Sequence, residues 1–324
     1  MGGELLKIEN LKVYYFMLTG TVKAVDNVNL RIGKGEIVAL VGESGCGKST
    51  LAYSILRMVP YPGRIVSGRI LFDGLDLTKL SEEEMRRLRW REISMIFQGA
   101  MNSLNPVMKI RDQLIEALIY HDAIDDIKQG YDLSAKMLKL VGLDPDRILD
   151  SYPHELSGGM KQRVVIAMSL LLNPKLIIAD EPTTALDVTT QAGILELMRD
   201  LHIKTGSSML LITHDLPVVA EIADRVYVMY AGKIVEYADI YTIFESPAHP
   251  YTGGLINAVP SLREGKLRKI KAIAGEPPNL INPPSGCRFH PRCEHAMDIC
   301  SREEPPMVKL DEGHGVACWL YAKR

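Results

Sequence analysis

Hydrophobic positions along this chain follow two rhythms. Leu5 to Tyr15 and Thr21 to Ile32 alternate partly between apolar and polar residues, the period of a half-buried strand, and Gly33, Lys34 and Gly35 close the second stretch with a turn signal. Ile37 to Val41 (IVALV) is a short unbroken apolar run, as expected of a strand buried on both faces, and Leu176 to Ala179 and Ser208 to Thr213 repeat it. Gly68 to Leu77 and Ile93 to Phe97 also read as strands, and Val226 to Met229 and Lys233 to Tyr237 flank a hairpin turn at Ala231-Gly232. Helical segments are expected over Ser49 to Met58, Glu82 to Trp90 with Ser81 as N-cap, Ile110 to Val141 and Met160 to Leu172. Buried strands alternating with helices predict an α/β fold around a mostly parallel sheet. From about Glu245 the texture changes. Pro247, Pro250, Pro260, Pro277, Pro278, Pro283 and Pro284 cluster ahead of four cysteines, which predicts an appended segment ending in a small module. The expected division is a domain over 1–245, with a helical subdomain at about 99–172, and an extension over 246–324.

Composition narrows the function classes. The 324 residues are 47% hydrophobic and 24% charged, which suffices for a sizeable core. Lys+Arg number 38 against 40 Asp+Glu, a net charge of -2, which argues against nucleic acid as a partner. No stretch approaches the roughly 18 apolar residues of a membrane span. The start lacks the basic and apolar regions of a secretory signal, and Leu6 stands where a myristoylation motif at Gly2 needs Ser or Thr. The expectation is a cytoplasmic chain whose membrane role comes through partners.

Three motifs carry chemistry. Gly42-Glu43-Ser44-Gly45-Cys46-Gly47-Lys48-Ser49 matches G-x-x-x-x-G-K-[ST] between a buried strand and a helix. Its glycines let successive N–H groups curl around one anion, the helix start adds its positive dipole end, and Lys48 supplies a full charge. Gly42, Ser44, Gly45, Cys46, Gly47, Lys48, Ser49 and Thr50 are therefore the candidate phosphate-binding residues, with the Ser49 hydroxyl a candidate Mg²⁺ ligand. Leu176 to Glu181 delivers Asp180 and Glu181 at the carboxyl end of a buried strand, where α/β sheets place their sites. Asp180 suits the Mg²⁺ side, and Glu181 suits a group that polarises an attacking water. Third, Ser157, Gly158 and Gly159 open the helix around Met160 to Leu172, a second anion-gripping helix end.

Leu156-Ser157-Gly158-Gly159-Met160 resembles the LSGGQ signature of ABC ATPases, with Met160 in place of Gln. Within that resemblance, Gln98 looks like the glutamine that senses the γ-phosphate and Mg²⁺. Ala185-Leu186-Asp187 resembles the D-loop, and His214 the switch histidine. Tyr15 resembles the aromatic that stacks on adenine, with Tyr14 and Phe16 as rivals. The resemblance covers roughly residues 4 to 240. It implies a nucleotide-binding domain with a RecA-like core, an antiparallel β subdomain and a helical subdomain. It also implies two such domains sandwiching each Mg-ATP between the cradle of one and the signature of the other. Hydrolysis would use Glu181, His214, Lys48 and Gln98, with Ser49, Gln98 and Asp180 toward Mg²⁺.

Gln98 to Pro106, Pro247-Ala248-His249-Pro250-Tyr251-Thr252 and Gly275-Glu276-Pro277-Pro278 are similar to segments of the dipeptide and oligopeptide importer branch, which nickel importers partly share. That branch implies two transmembrane permease subunits, an extracytoplasmic solute-binding protein and a second related ATPase, as heterodimer or homodimer. It places the chain peripherally on the inner face of the cell membrane. A soluble ABC ATPase acting on DNA or ribosomes fits less well, because no long insertion or second cradle is present. Cys287, Cys293, Cys300 and Cys318 are separated by five, six and seventeen intervening residues, wider than the usual zinc pairs. Four thiolates suit a [4Fe–4S] cluster, which members of this branch carry at this place. Zinc, or plain thiols and disulfides, are the alternatives.

Overall fold

The structure, a computed structural model, describes residues 3–184, 186–258 and 273–322. Gly2, Ala185 of the expected D-loop and Pro260 lie outside the described residues. In chain order the first elements are β1 (Glu4–Met17), β2 (Gly20–Gly33), β3 (Ile37–Val41), α1 (Lys48–Ile55), β4 (Gly63–Phe72), β5 (Leu75–Asp76), α2 (Glu82–Leu88) and β6 (Ile93–Ile96). Then come α3 (Ile110–Tyr120), α4 (Ile127–Leu140), α5 (Pro145–Ile148), α6 (Gly158–Leu170), β7 (Leu176–Asp180), α7 (Val188–Thr205) and β8 (Ser208–Thr213). The last are α8 (Leu216–Ile222), β9 (Arg225–Tyr230), β10 (Lys233–Asp239), α9 (Ile240–Glu245), α10 (Pro250–Asn257), α11 (Asp298–Arg302), β11 (Val308–Lys309) and β12 (Gly315–Val316).

The chain forms two compact units. The first contains Lys34–Glu36 and Leu80–Leu210. In it β6 and β7 pair in parallel from Ile93 opposite Leu176 to Ile96 opposite Ala179, and β7 is buried throughout. The stretch 110–141, expected as one helical run, is two helices. Asp122 takes a positive φ of 49° after α3, and the Asp126 side chain then accepts the Gln129 N–H to start α4. Leu138 of α4 and Val164, Ile166 and Ala167 of α6 are buried in this unit. The eighteen-residue α7 was not expected from the sequence; Asp187 caps its start and Gly206, at φ 70°, ends it.

The second unit contains Gly3–Gly33, Ile37–Lys79 and Leu211–Arg324. A four-stranded antiparallel sheet runs β2-β1-β4-β5, with β4 beginning five residues before the expected strand. β3, buried at every position, pairs in parallel with β9. β9 and β10 form the expected hairpin, its turn made by Ala231 and Gly232, both at positive φ (47° and 86°), as a two-residue hairpin loop requires. β12 pairs antiparallel with β10, and β11 with β12. The tail thus adds two short antiparallel strands beyond the expected β9–β10 hairpin.

Candidate functional site

The loop between β3 and α1 is shaped by close backbone packing as much as by glycine's freedom to curl. A Cβ on Gly42 would lie 2.1 Å from the Met229 carbonyl oxygen, and one on Gly47 2.0 Å from that of Ala24. Gly42, Gly45 and Gly47 all have positive φ (153°, 76° and 111°). Lys48, 6% exposed, folds back so that its Nζ donates to the carbonyls of Gly42 (2.8 Å) and Glu43 (3.0 Å). The N-cap of α1 is Gly47, which offers no side-chain cap, so the first turn of α1 presents main-chain donors and a lysine charge together. Ser44 and Gly45 are exposed; Ser49 and Thr50 are half-buried at the helix start. Cys46 is turned inward, its thiol pushed up by burial, so what it offers a ligand is its main chain.

Tyr15 and its two rivals separate along β1. The Tyr14 hydroxyl donates to Asp26 at 2.7 Å and is pushed up to about 12 by burial. Phe16 lies under the Arg64 guanidinium, 4.3 Å from its ring centre. The Tyr15 hydroxyl instead sits 3.3 Å from that of Thr50, against the phosphate loop's helix.

In the first unit, strand register brings two predicted residues together. Ile96 stands opposite Ala179 in the parallel β6–β7 pair, so Gln98 and Glu181, each two residues on, fall side by side. Gln98 Nε2 donates to Glu181 Oε2 at 2.7 Å, and the Thr184 hydroxyl donates to the same oxygen at 3.0 Å. Glu181 holds a left-handed backbone, φ 48°, a conformation that costs about 1 kcal/mol or more and collects at functional sites. Asp180, fully buried, ends β7 just before it.

Ser157 caps α6 through its hydroxyl, which accepts the Met160 N–H at 3.3 Å. Gly158 and Gly159 follow at the rim, and a Cβ on Gly159 would meet Thr190 at 2.7 Å. Asp187 accepts from the Thr190 N–H (2.9 Å) and hydroxyl (2.7 Å), and the backbone bond holds its carboxyl below the usual range. Its evident local task is to cap α7. His214, in the second unit, is exposed just past β8.

Sequence reasoning missed the residues that hold the phosphate loop from behind. Glu43 gives its N–H to the Tyr251 hydroxyl (2.8 Å) and its carboxylate to both Nη atoms of Arg292 (2.6 and 2.9 Å). Tyr251, Tyr230 and Phe289 pack as an aromatic cluster, ring centres 4.6 to 5.3 Å apart. The pairing of the HPYT segment with the loop had no signal in a single sequence.

The donor sets differ in how they fit a metal. Ser49 and Asp180 offer hard oxygen atoms, the chemistry Mg²⁺ takes. The four tail cysteines are free thiols within electrostatic reach of one another, and burial pushes Cys287 up to about 11. Cys287, Cys293 and Cys318 each receive a backbone N–H from two residues on, and Cys300 receives that of Met297. Their softness fits iron or zinc. Among the described residues no group of three or more His, Cys, Asp or Glu is arranged to hold a metal ion. Nor is any described helix long and apolar enough to cross a membrane.

Comparison with known proteins places the chain in a family. Residues 25–184 match the model of the ABC transporter family, and residues 235–300 that of the oligopeptide/dipeptide transporter C-terminal region. The chain is 45% identical to the dipeptide transport ATP-binding protein DppD of Caldanaerobacter subterraneus subsp. tengcongensis, over 98% of this chain and 97% of that protein. It is 49% identical to the oligopeptide transport ATP-binding protein OppD of Bacillus subtilis, over 98% and 89%. Its fold is similar to the dimeric structure of MJ0796, a bacterial ABC transporter cassette, at TM-score 0.65 and 30% identity, covering 73% of this chain and 99% of that one. A second MJ0796 structure, of a post-hydrolysis state bound to ADP and Pi, matches at TM-score 0.64 and 29% identity over the same shares. At 45% and 49% identity over nearly its whole length, the chain belongs to the ABC transporter family of ATP-binding cassettes.

Proposed function

We propose that this chain is the ATP-hydrolysing subunit of a membrane importer of dipeptides or oligopeptides. The observation that carries the reading is the cradle: a buried strand, three glycines at positive φ, and a lysine whose charge meets the uncapped first turn of α1. The peptide class rests on the relatives named above and on the match of the tail to a peptide-transporter region. Nothing in the structure or those relatives favours the nickel alternative.

In this reading residues 1–245 form the ATPase domain, with its helical subdomain at about 99–172, and 246–324 the extension. Gly42, Ser44, Gly45, Cys46, Gly47, Lys48, Ser49 and Thr50 grip the phosphates, and Tyr15 stacks on adenine. Glu181 polarises the attacking water, and Gln98 holds the Glu181 carboxylate in place until the γ-phosphate arrives. Lys48 and His214 stabilise charge on the transferred phosphoryl group. Ser49, Gln98 and Asp180 would hold Mg²⁺, which neutralises charge on the phosphates when bound. Ser157, Gly158, Gly159 and Asp187 serve the ATP of a partner cassette, in keeping with the dimeric MJ0796 structure. The partner is a second related subunit or a second copy, and both work peripherally on the inner face of the membrane with two permease subunits and a solute-binding protein.

Glu181→Gln keeps the shape of the site and removes the charge that polarises water. MgATP affinity is expected to stay within about threefold while turnover falls at least about 100-fold. Retention of most of the turnover removes Glu181 from the mechanism. Peptide-stimulated hydrolysis by the complex copurified from membranes tests the transport class. The tail thiols are read as ligands of a [4Fe–4S] cluster with zinc as the alternative, on donor chemistry alone. Iron and sulfide analysis of anaerobically purified protein decides between them.

A further inference from the structure

Glu43, the residue after Gly42 in the phosphate loop, has all its polar groups engaged. Its carbonyl accepts from Lys48 Nζ at 3.0 Å, its N–H donates to the Tyr251 hydroxyl at 2.8 Å, and its carboxylate receives both arms of Arg292. Two of these three holders come from the tail. Tyr251 is fully buried, and its own N–H donates to His249 Nδ1 at 3.0 Å. The Arg292 side chain is 6% exposed; its Nε donates to the Ala274 carbonyl at 2.9 Å, and Nη1 also reaches the Tyr230 hydroxyl at 3.3 Å. Arg292 sits in the short helical turn His290–Arg292 immediately before Cys293.

The chemistry of the loop makes this arrangement consequential. A carboxylate in a phosphate cradle repels the anion the cradle is built to bind. A paired arginine cancels that charge, and a two-armed bond fixes the carboxylate as well as neutralising it. We propose that Arg292 is a positioning residue of the nucleotide cradle: it neutralises and anchors Glu43, so that the cysteine-bearing tail sets the affinity of the loop for a nucleoside triphosphate. Tyr251 is the second anchor, on the main chain of the same residue. The proposal rests on the ATPase reading above and goes beyond it by giving the tail a task at the nucleotide site.

Charge reversal of effect provides the test. With the purified full-length chain and MgATP as probe, Arg292→Ala is expected to weaken binding about tenfold, because Glu43 is then an unpaired anion beside the phosphates. In the ATPase assay KM for ATP should rise in step while kcat at saturation stays within about twofold. Adding Glu43→Gln to Arg292→Ala should restore affinity to within about threefold of wild type, since the repelling charge is gone. A double variant as weak as Arg292→Ala, or an Arg292→Ala protein that binds like wild type, overturns the proposal. If circular dichroism shows Arg292→Ala unfolded, Glu43→Gln alone decides: it leaves the Arg292 charge unopposed and should tighten MgATP about threefold, and unchanged or weaker binding overturns the proposal. Wild-type protein that binds no MgATP brings down the ATPase reading together with this one. Normal wild-type binding with unaltered variants removes this one alone.

Discussion

A buried carboxylate on β10 shows how much one residue organises. Glu236 is fully buried, and its two oxygens accept from the N–H groups of Ala248 (2.7 Å) and His249 (2.9 Å), while His314 Nε2 lies 2.9 Å away. These bonds tie the start of the HPYT segment and the β12 strand to one side chain. A carboxamide of the same shape has one acceptor oxygen, and its NH₂ would face another donor. Glu236→Gln should therefore cost about 2 kcal/mol of stability, the usual cost of a buried donor left unsatisfied. Urea denaturation measures it, and amide exchange at Ala248 and His249 should speed up with it. A variant as stable as wild type with unchanged exchange would mean that these bonds are dispensable. Glu236 itself was invisible in the sequence, because a Glu between Val235 and Tyr237 reads as an ordinary outward strand position.

At the scale of elements, legibility followed locality. β3 and β7 were readable because burial on both faces leaves an unbroken apolar run. The α2 start was readable from Ser81, which in the structure forms a reciprocal capping box with Glu84. α7 had its signals too: Asp187 as cap, Gly206 as stop, and Ile194, Leu195, Met198 and Leu201 on a buried face. The break between α3 and α4 needed the left-handed residue Asp122, which composition does not announce. The Gln98–Glu181 bond depends on β6 pairing with β7 in one register, a relation between segments about eighty residues apart that no local window contains. The motifs named candidate residues, whereas pairing decided which of them touch.

Across the whole molecule, the same separation between local signal and long-range pairing governs stability against acid. Arg288 and Lys233 converge on Asp26, joining the tail and β10 to β2 near the chain start. Burial pushes Asp26 up, but the Tyr14 hydrogen bond and the charges of Lys233, Arg288 and Lys12 outweigh it and hold the carboxyl below the usual range. Its stabilisation is present above about pH 4, the unfolded value, and is lost as pH falls through the lower folded one. His249 acts in an earlier window. It is 2% exposed, its Nδ1 accepts the Tyr251 N–H, its Nε2 has no hydrogen-bond partner among the described residues, and burial pushes it down to about 3. Glu236 faces it through the main-chain bond, and Arg292, Glu294, His295 and Tyr321 line the cavity beside it. Because the unfolded chain takes up a proton below about pH 6.5 and the folded His249 does not, stability is lost from pH 6.5 down to about 3. The loss amounts to about 2 kcal/mol by pH 5, at about 1.4 kcal/mol per pH unit. His249→Asn keeps an acceptor for the Tyr251 N–H and removes the titration. Chemical denaturation at pH 7 and pH 5 should show wild type losing about 2 kcal/mol more than the variant, a difference in which the other histidines cancel. Equal losses in the two proteins would mean that His249 takes up its proton in the folded state as readily as in the unfolded one.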